Sequence, residues 1–394
     1  MRIMPPISRI RPPRCHAVFD PSLPIAMTAP NALNTLRNVS SHPRRIDVHH
    51  HVIPPVFAQA MQAQGLSMVA GAPLPHWSVQ RSLDLMDLQG IQTALLSLSA
   101  PGVYFGDEHR AIGLARDCND FCAQVARDRP ERFGFFAVLP MPFTDHACRE
   151  AVRALDVLDA DGIVLLGSTE GHFLGDARFE ELMGELDRRQ ATVFVHPNLH
   201  ATSTQLQLDA PGFLVEFLCD TTRAATNLIL SGTMERHQRI RWILAHAGGF
   251  TPYIAWRLSL ANMLPETFER APQGVLTYLQ RFWFDTALSP SPYAMAALKE
   301  LVGPSRILFG SDFPFAPEPV TGMQTQQFAA LTCFDAAQKA AIQRGNALSL
   351  FPRLAASGDV LSPVAPPPGM DWRTRLKRLA IRPVIALAEH ARKR

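Results

Sequence analysis

From Arg45 onward, short apolar runs rich in β-branched and aromatic residues alternate with amphipathic stretches. The runs predict strands at 45–48, 93–98, 133–139, 162–166, 191–195, 241–245, 282–285 and 307–310. Between them, apolar positions recur at helical spacing over 82–89, 108–128, 144–158, 178–188 and 211–231, and a last helix is expected at 336–351. Strand–helix alternation repeated eight times predicts an α/β fold, a (β/α)8 TIM barrel with N- and C-terminal extensions. An open doubly wound sheet is the alternative. It calls for a glycine-rich phosphate loop after the first strand, and His49-His50-His51 stands there instead.

Composition sets outer bounds. The 394 residues are 47% hydrophobic and 19% charged, enough for a large core. The net charge of +3 is unevenly spread: both ends are strongly basic, so the stretch between them is acidic. A nucleic-acid reader would carry its basic stripe on the folded body, so no nucleic-acid partner is expected. Residues 1–44 are Pro/Arg/Asn/Ser-rich without periodicity and are expected to be disordered or loosely attached. The barrel is expected over 45–357. Residues 358–394 read as a Pro-rich linker and a basic, partly amphipathic tail interrupted at Pro383, able to touch an anionic surface or a partner, or to stand in solvent. The six cysteines have neither zinc-finger nor disulfide-framework spacing and read as free thiols. No apolar run reaches membrane-spanning length and no long apolar leader is present, so a cytoplasmic enzyme without a transmembrane segment is expected.

Polar residues fall where chemistry is done in such barrels, at the C-terminal ends of strands. The first strand ends in His49 and His51, the fifth in His196, the sixth in His246, the seventh in Asp285, and the eighth runs into Asp312. A divalent metal that activates water or polarises an oxygen needs two or three neutral imidazoles, usually a carboxylate, and an open position. His49 and His51 are two apart, so they share a side of the strand and His50 points away. Asp47 either anchors the strand or orients a ligand. His76, His172 and His200 lie in loop-like segments and are minor candidates for substrate contact.

These residues carry a resemblance. Ile46-Asp47-Val48-His49-His50-His51-Val52-Ile53-Pro54-Pro55, Phe194-Val195-His196-Pro197, Leu244-Ala245-His246-Ala247-Gly248-Gly249, Phe284-Asp285-Thr286 and Leu308-Phe309-Gly310-Ser311-Asp312-Phe313-Pro314 resemble the amidohydrolase superfamily over roughly residues 45–352. The likeness is to the branch of 2-amino-3-carboxymuconate-6-semialdehyde decarboxylase and related aromatic-acid decarboxylases. Trp77 and the stretch from Met86 to Gly102 are similar to the 6-methylsalicylate decarboxylase group. The resemblance implies a barrel of the metal-dependent hydrolase type. It also implies His49, His51, His196 and Asp312 as ligands of one divalent metal, zinc or alternatively manganese, with His246 handling a proton. Arg257 falls where the decarboxylases carry an arginine reaching a neighbouring subunit's site, which implies a homodimer; a helix-face ion pair is its other reading.

Two departures refine the expected chemistry. Hydrolytic members commonly place a carboxylated lysine at the end of strand four, and here that strand ends Leu166-Gly167-Ser168, which favours a single metal. The segment from Val56 to Gln80 contains no Arg or Lys, so the cation that would clamp a second carboxylate is missing. The expected substrate is a small aromatic or unsaturated carboxylic acid, such as a salicylate-type phenolic acid, with Trp77, Tyr104, Arg257 and Asp285 as candidate contacts. The expected activity is metal-dependent non-oxidative decarboxylation, with His246 and Asp312 as proton carriers. The alternative is hydrolysis of a lactone or amide by metal-bound hydroxide.

Overall fold

A computed structural model describes residues 43–206, 208–361 and 370–392. Residues 1–42 of the expected N-terminal extension and most of the Pro-rich linker lie outside the described residues.

Eight strands form one parallel sheet in sequence order: β1 (Arg45–His51), β2 (Ile91–Ser97), β3 (Phe133–Val138), β4 (Gly162–Leu166), β5 (Thr192–His196), β6 (Arg241–Leu244), β7 (Trp283–Asp285) and β8 (Ile307–Leu308). The sheet curls shut through the chain that follows β8. Val48 N–H donates to the Phe309 carbonyl at 3.0 Å and His51 N–H to the Phe313 carbonyl at 2.6 Å. This seam explains why β1 runs three residues past its expected end. The polar run His49-His50-His51 is held extended by β2 on one side and by the post-β8 segment on the other. β8 itself is shorter than expected because the chain leaves regular pairing after Leu308 to build the turn that carries Asp312.

Helices cover the outside: α1 (Pro55–Ala63), α2 (Val79–Gln89), α3 (Glu108–Asp128), α4 (Thr144–Asp156), α5 (Glu180–Arg188), α6 (Gly212–Leu230), α7 (Thr251–Ser259), α8 (Pro292–Val302) and α9 (Glu318–Ala330). Local chemistry sets their ends. Ser78 accepts from Arg81 N–H at the start of α2, and Gly90 stops it at φ 61°; Asp107 caps α3 by accepting from Arg110 N–H. The helix expected at 336–351 is interrupted by a π turn at Ala341–Gly345. The tail forms one helix, α10 (Trp372–Arg392), which continues through Pro383 rather than breaking there.

The barrel interior is packed, not hollow. Phe136 and Phe194 stack with centroids 5.5 Å apart, Phe351 meets Phe136 edge-on at 5.8 Å, and Phe194 sits edge-on beneath His49 at 4.9 Å. The aromatic column is the apolar floor on which the polar strand ends rest. Among the described residues, no helix is long and apolar enough to cross a membrane.

Candidate metal centre

His49 and His51, on one face of β1, bring their Nε2 atoms to 2.9 Å from each other. Asp312 Oδ1 lies 3.0 Å from both nitrogens. His196, at the end of β5, completes a buried group whose four donor atoms all lie within 4.8 Å of one another. The expected ligand residues therefore converge.

Each imidazole has its far nitrogen engaged. Nδ1 of His49 donates to Asp285 at 2.7 Å, Nδ1 of His51 to the Ser97 carbonyl at 3.2 Å, and Nδ1 of His196 to the Pro197 carbonyl at 2.8 Å. These oxygens only accept, so every ring holds a proton on Nδ1 and turns Nε2 to the centre, the arrangement that fixes metal-binding histidines. A tetrahedral ion with bonds near 2.1 Å would set its donors about 3.4 Å apart, inside the range from 2.9 to 4.8 Å that this cluster spans. Charge points the same way. Burial opposes a charge on His49, but the Asp285 and Asp312 carboxylates outweigh it and push the imidazole up to about 10. Burial pushes the Asp312 carboxyl up, yet the charge and hydrogen bond of His49 hold it well below the usual carboxylate range. His51 and His196 are lowered, first by burial, and stay neutral. A centre that holds positive charge this strongly, with neutral imidazoles beside it, fits one divalent metal.

Supports behind the ligands are equally specific. Asp285 is fully buried. Beyond His49 it accepts from the backbone N–H groups of His246 at 2.9 Å and Ala287 at 3.0 Å. Expected as a substrate contact, it instead stands behind His49, because β1 and β7 approach closely across Gly310. A Cβ on Gly310 would lie 2.8 Å from the His49 Cβ and 3.2 Å from the Asp285 Cβ. His50 turns outward to Ser82 Oγ at 3.0 Å and Asp47 at 3.1 Å. Asp47 also accepts from the N–H and hydroxyl of Ser311, tying β1 to the turn before Asp312.

His246 lies beside the ligand group rather than in it. Its Nε2 is 3.9 Å from Asp312 Oδ2, and its Nδ1 is buried without a hydrogen-bond partner among the described residues. His246 and Ala247 both have φ of 54°, and Asp312 has φ of 62°, left-handed conformations that cost side-chain-bearing residues about 1–3 kcal/mol each. The Asp285 bond to His246 N–H and the Asp312 N–H bond to the His49 carbonyl at 2.8 Å hold these turns.

A cavity of about 480 Å³ opens above the cluster, reaching His196, His246 and Asp312. Its walls are mostly apolar: Phe213, Phe217 and Leu218 from α6, with Phe315 and Leu288 opposite. Ser99 and Ser289 are the hydroxyls on its lining, which includes no lysine or arginine. Sequence reading missed this wall, because Phe213 and Phe217, four apart, look like ordinary helix core. It placed Trp77 and Tyr104 there instead. Trp77 packs edge-on to Phe121 at 5.9 Å within the core, and Tyr104 packs on Phe143 at 5.2 Å in a separate small recess. Arg257 is exposed on α7 and forms no ion pair among the described residues, so it does not reach this cavity within one chain, nor does it make the helix-face pair. His172 pairs with Asp176 at 3.1 Å and His200 with Thr202 at 2.8 Å; neither they nor His76 line the cavity.

The end of β4 shows why no second metal ligand stands there. Asp220 on α6 accepts from Ser168 Oγ at 2.5 Å and from Asn198 N–H at 2.9 Å. A Cβ at Gly167 would fall 2.4 Å from its carboxylate, so a lysine at that position would have to displace Asp220 from Ser168 and Asn198.

Comparison with known proteins agrees with this geometry. Residues 46–353 match the amidohydrolase family. A 6-methylsalicylic acid decarboxylase of Penicillium expansum is 34% identical over 316 residues, 79% of this chain and 97% of that protein. A gamma-resorcylate decarboxylase of Rhizobium radiobacter is 30% identical over 247 residues, 59% of this chain and 76% of that protein. Among solved structures, a dihydroxybenzoic acid decarboxylase of Polaromonas sp. JS666, with bound manganese and the inhibitor 2-nitroresorcinol, superposes with a TM-score of 0.68 at 25% identity, covering 79% of this chain and 98% of that one. With strand order, donor set and sequence in agreement, the chain belongs to the amidohydrolase family.

Proposed function

We propose that this chain is a metal-dependent non-oxidative decarboxylase of a small phenolic acid of the salicylate type, with its activity in the barrel of residues 45–357 and with 1–44 and 358–394 as extensions. The observation that carries the reading is the placing of a His49–His51–His196–Asp312 donor set under a mostly apolar cavity whose lining has no lysine or arginine. Relatives named as decarboxylases of 6-methylsalicylic and gamma-resorcylic acids support it.

When bound, the ion would act as a Lewis acid toward the carboxylate and phenol oxygens and fix the ring's orientation. Phe213, Phe217, Leu218 and Phe315 grip the ring faces and keep water out. The cavity offers no guanidinium for a second carboxylate, so a monocarboxylic acid with an apolar substituent fits best. His246 and Asp312, 3.9 Å apart, form the proton-carrying pair. They deliver a proton to the ring carbon bearing the carboxylate. That step interrupts aromaticity; the bond to the carboxyl carbon then breaks, its electron pair returns to the ring, and CO2 leaves. Three imidazoles and one carboxylate suit zinc, the ion we assign; manganese, present in the Polaromonas relative's structure, is its rival.

We also assign a homodimer. α7, the turn after it and α8 expose several large apolar side chains, with Tyr253 and Tyr293 at 87%, Trp256 at 73% and Met263 at 62% exposure, and Arg257 lies on α7 beside Trp256. Monomeric proteins seldom leave such a face uncovered. Sedimentation of the parent chain as a dimer, and of Trp256→Glu as a monomer, is the expected result; a monomeric parent chain contradicts it.

The metal-loaded protein is to be tested on a panel of salicylates and aromatic lactones, with CO2 release and ring opening measured in parallel. Decarboxylation of a salicylate supports the reading. Lactone opening without CO2 release would assign hydrolysis with metal-bound hydroxide instead.

A further inference from the structure

The decarboxylase reading leaves α10 without a role, and the following inference does not rest on that reading. The helix spans 21 residues, about 31 Å at 1.5 Å per residue. Trp372, Leu376, Leu379 and Pro383 follow one another at spacings of four, three and four, so they form a single stripe. The stripe faces solvent: Trp372 is 67%, Leu376 55% and Leu379 56% exposed. Arg373 and Lys377 flank it on one side and Arg375 on the other. None of the three makes an ion pair among the described residues, and Arg373 lies over the Trp372 ring at 5.3 Å.

The helix holds to the barrel by a different edge. Arg378 donates to the Thr267 carbonyl at 3.1 Å and covers the Phe268 ring at 5.1 Å; Arg382 lies over the same ring at 5.8 Å and reaches Glu269 at 3.4 Å. Among the described side chains, docking uses these two arginines and leaves the stripe outward.

We propose that α10 binds the surface of an anionic lipid bilayer, lying flat with Trp372, Leu376 and Leu379 in the interface and Arg373, Arg375 and Lys377 among the headgroups. Charge decides between occupants. Residues 371–394 hold eight basic and two acidic residues. A second copy laid on the stripe would oppose cation to cation, whereas anionic headgroups complement it and an apolar stripe with Trp inserts at that depth. The helix is too charged to cross the membrane, so binding is peripheral.

The test uses the full-length, metal-loaded protein and vesicles of phosphatidylcholine with or without about 30 mol % phosphatidylserine, at physiological salt. Expected is at least about tenfold stronger partition onto the anionic vesicles, weakened by about 0.5 M salt. Leu376→Asp with Leu379→Asp, and separately Arg373→Glu with Arg375→Glu and Lys377→Glu, should each remove at least about tenfold of that affinity. Melting temperature should stay close to the parent value, because these side chains are mostly exposed. Equal partition onto both vesicle types overturns the proposal, as does undiminished binding by the Leu376→Asp, Leu379→Asp variant. A loss of dimer in that variant would assign the stripe to a second copy instead.

Discussion

Asp285→Asn isolates the support behind the metal site. In the parent chain one carboxylate oxygen of Asp285 accepts His49 Nδ1–H at 2.7 Å, and the other accepts the N–H groups of His246 and Ala287 at 2.9 and 3.0 Å. Asparagine has one acceptor oxygen. Two backbone donors converge on one site, so the amide oxygen is expected to stay with them and the amide NH2 to face His49. His49 must then accept at Nδ1 and carry its proton on Nε2, the nitrogen that points to the metal. The lost charge-assisted hydrogen bond is worth about 1.5–3 kcal/mol, and loss of such a partner typically weakens metal binding about 10–100-fold, or about 1.4–2.7 kcal/mol. The two magnitudes agree. Competition with a chromogenic chelator should show that loss in affinity. Metal affinity within about twofold of the parent would refute the role given to Asp285.

Three further outcomes follow from the same geometry. His246→Ala should keep its full metal content and lose about 10²–10⁴-fold in kcat; unchanged turnover would remove His246 from the proton-carrying pair. Burial opposes the charge on His49, but Asp285 and Asp312 push it up to about 10, so the metal-free protein is protonated there at pH 7 and metal binding should release about one proton. Metal affinity should then rise about tenfold per pH unit below that value, and calorimetry in buffers of different ionisation enthalpy should give a slope near one; a slope of zero contradicts it. Hydrogen bonds from Arg344 outweigh the opposing effect of burial and hold Asp359 down to about 2. Its stabilisation is thus present above the unfolded value of about 3.9 and lost as pH falls through about 2. Asp359→Asn should cost about 2 kcal/mol in urea denaturation at pH 7 and nearly nothing at about pH 2; an equal cost at both would refute the linkage.

The sequence disclosed the four converging donor residues because two simple periodicities govern them. Residues two apart on a strand share a face, and active residues of these barrels stand on strand ends, so His49, His51, His196 and Asp312 could be picked out one strand at a time. Asp285 obeys the same rule and was placed wrongly. Whether a strand-end carboxylate points upward to substrate or sideways to a neighbour depends on how closely two strands approach, and here Gly310 lets β1 and β7 close on each other. Trp77 and Tyr104 lie on loops, whose paths no periodicity fixes; one ended in the core and the other in a separate recess. Phe213 and Phe217 are the converse case. A spacing of four marks an apolar helix face, and only the fold tells whether that face meets other side chains or a cavity. Pro383 was expected to interrupt the tail; the structure has a helix through it, and nothing in the surrounding contacts explains its tolerance.

The proposed reaction removes a carboxyl group from a phenolic ring held between the donor cluster and the apolar cavity. The direct measurement incubates metal-loaded and chelator-stripped protein with carboxyl-labelled 6-methylsalicylate and collects the released CO2. Labelled CO2 and the matching phenol should appear in equal amounts with the loaded protein, vanish on stripping, and return when the metal is restored. Release that survives complete metal removal, or opening of an aromatic lactone by a protein that releases no CO2 from any salicylate, would contradict the account.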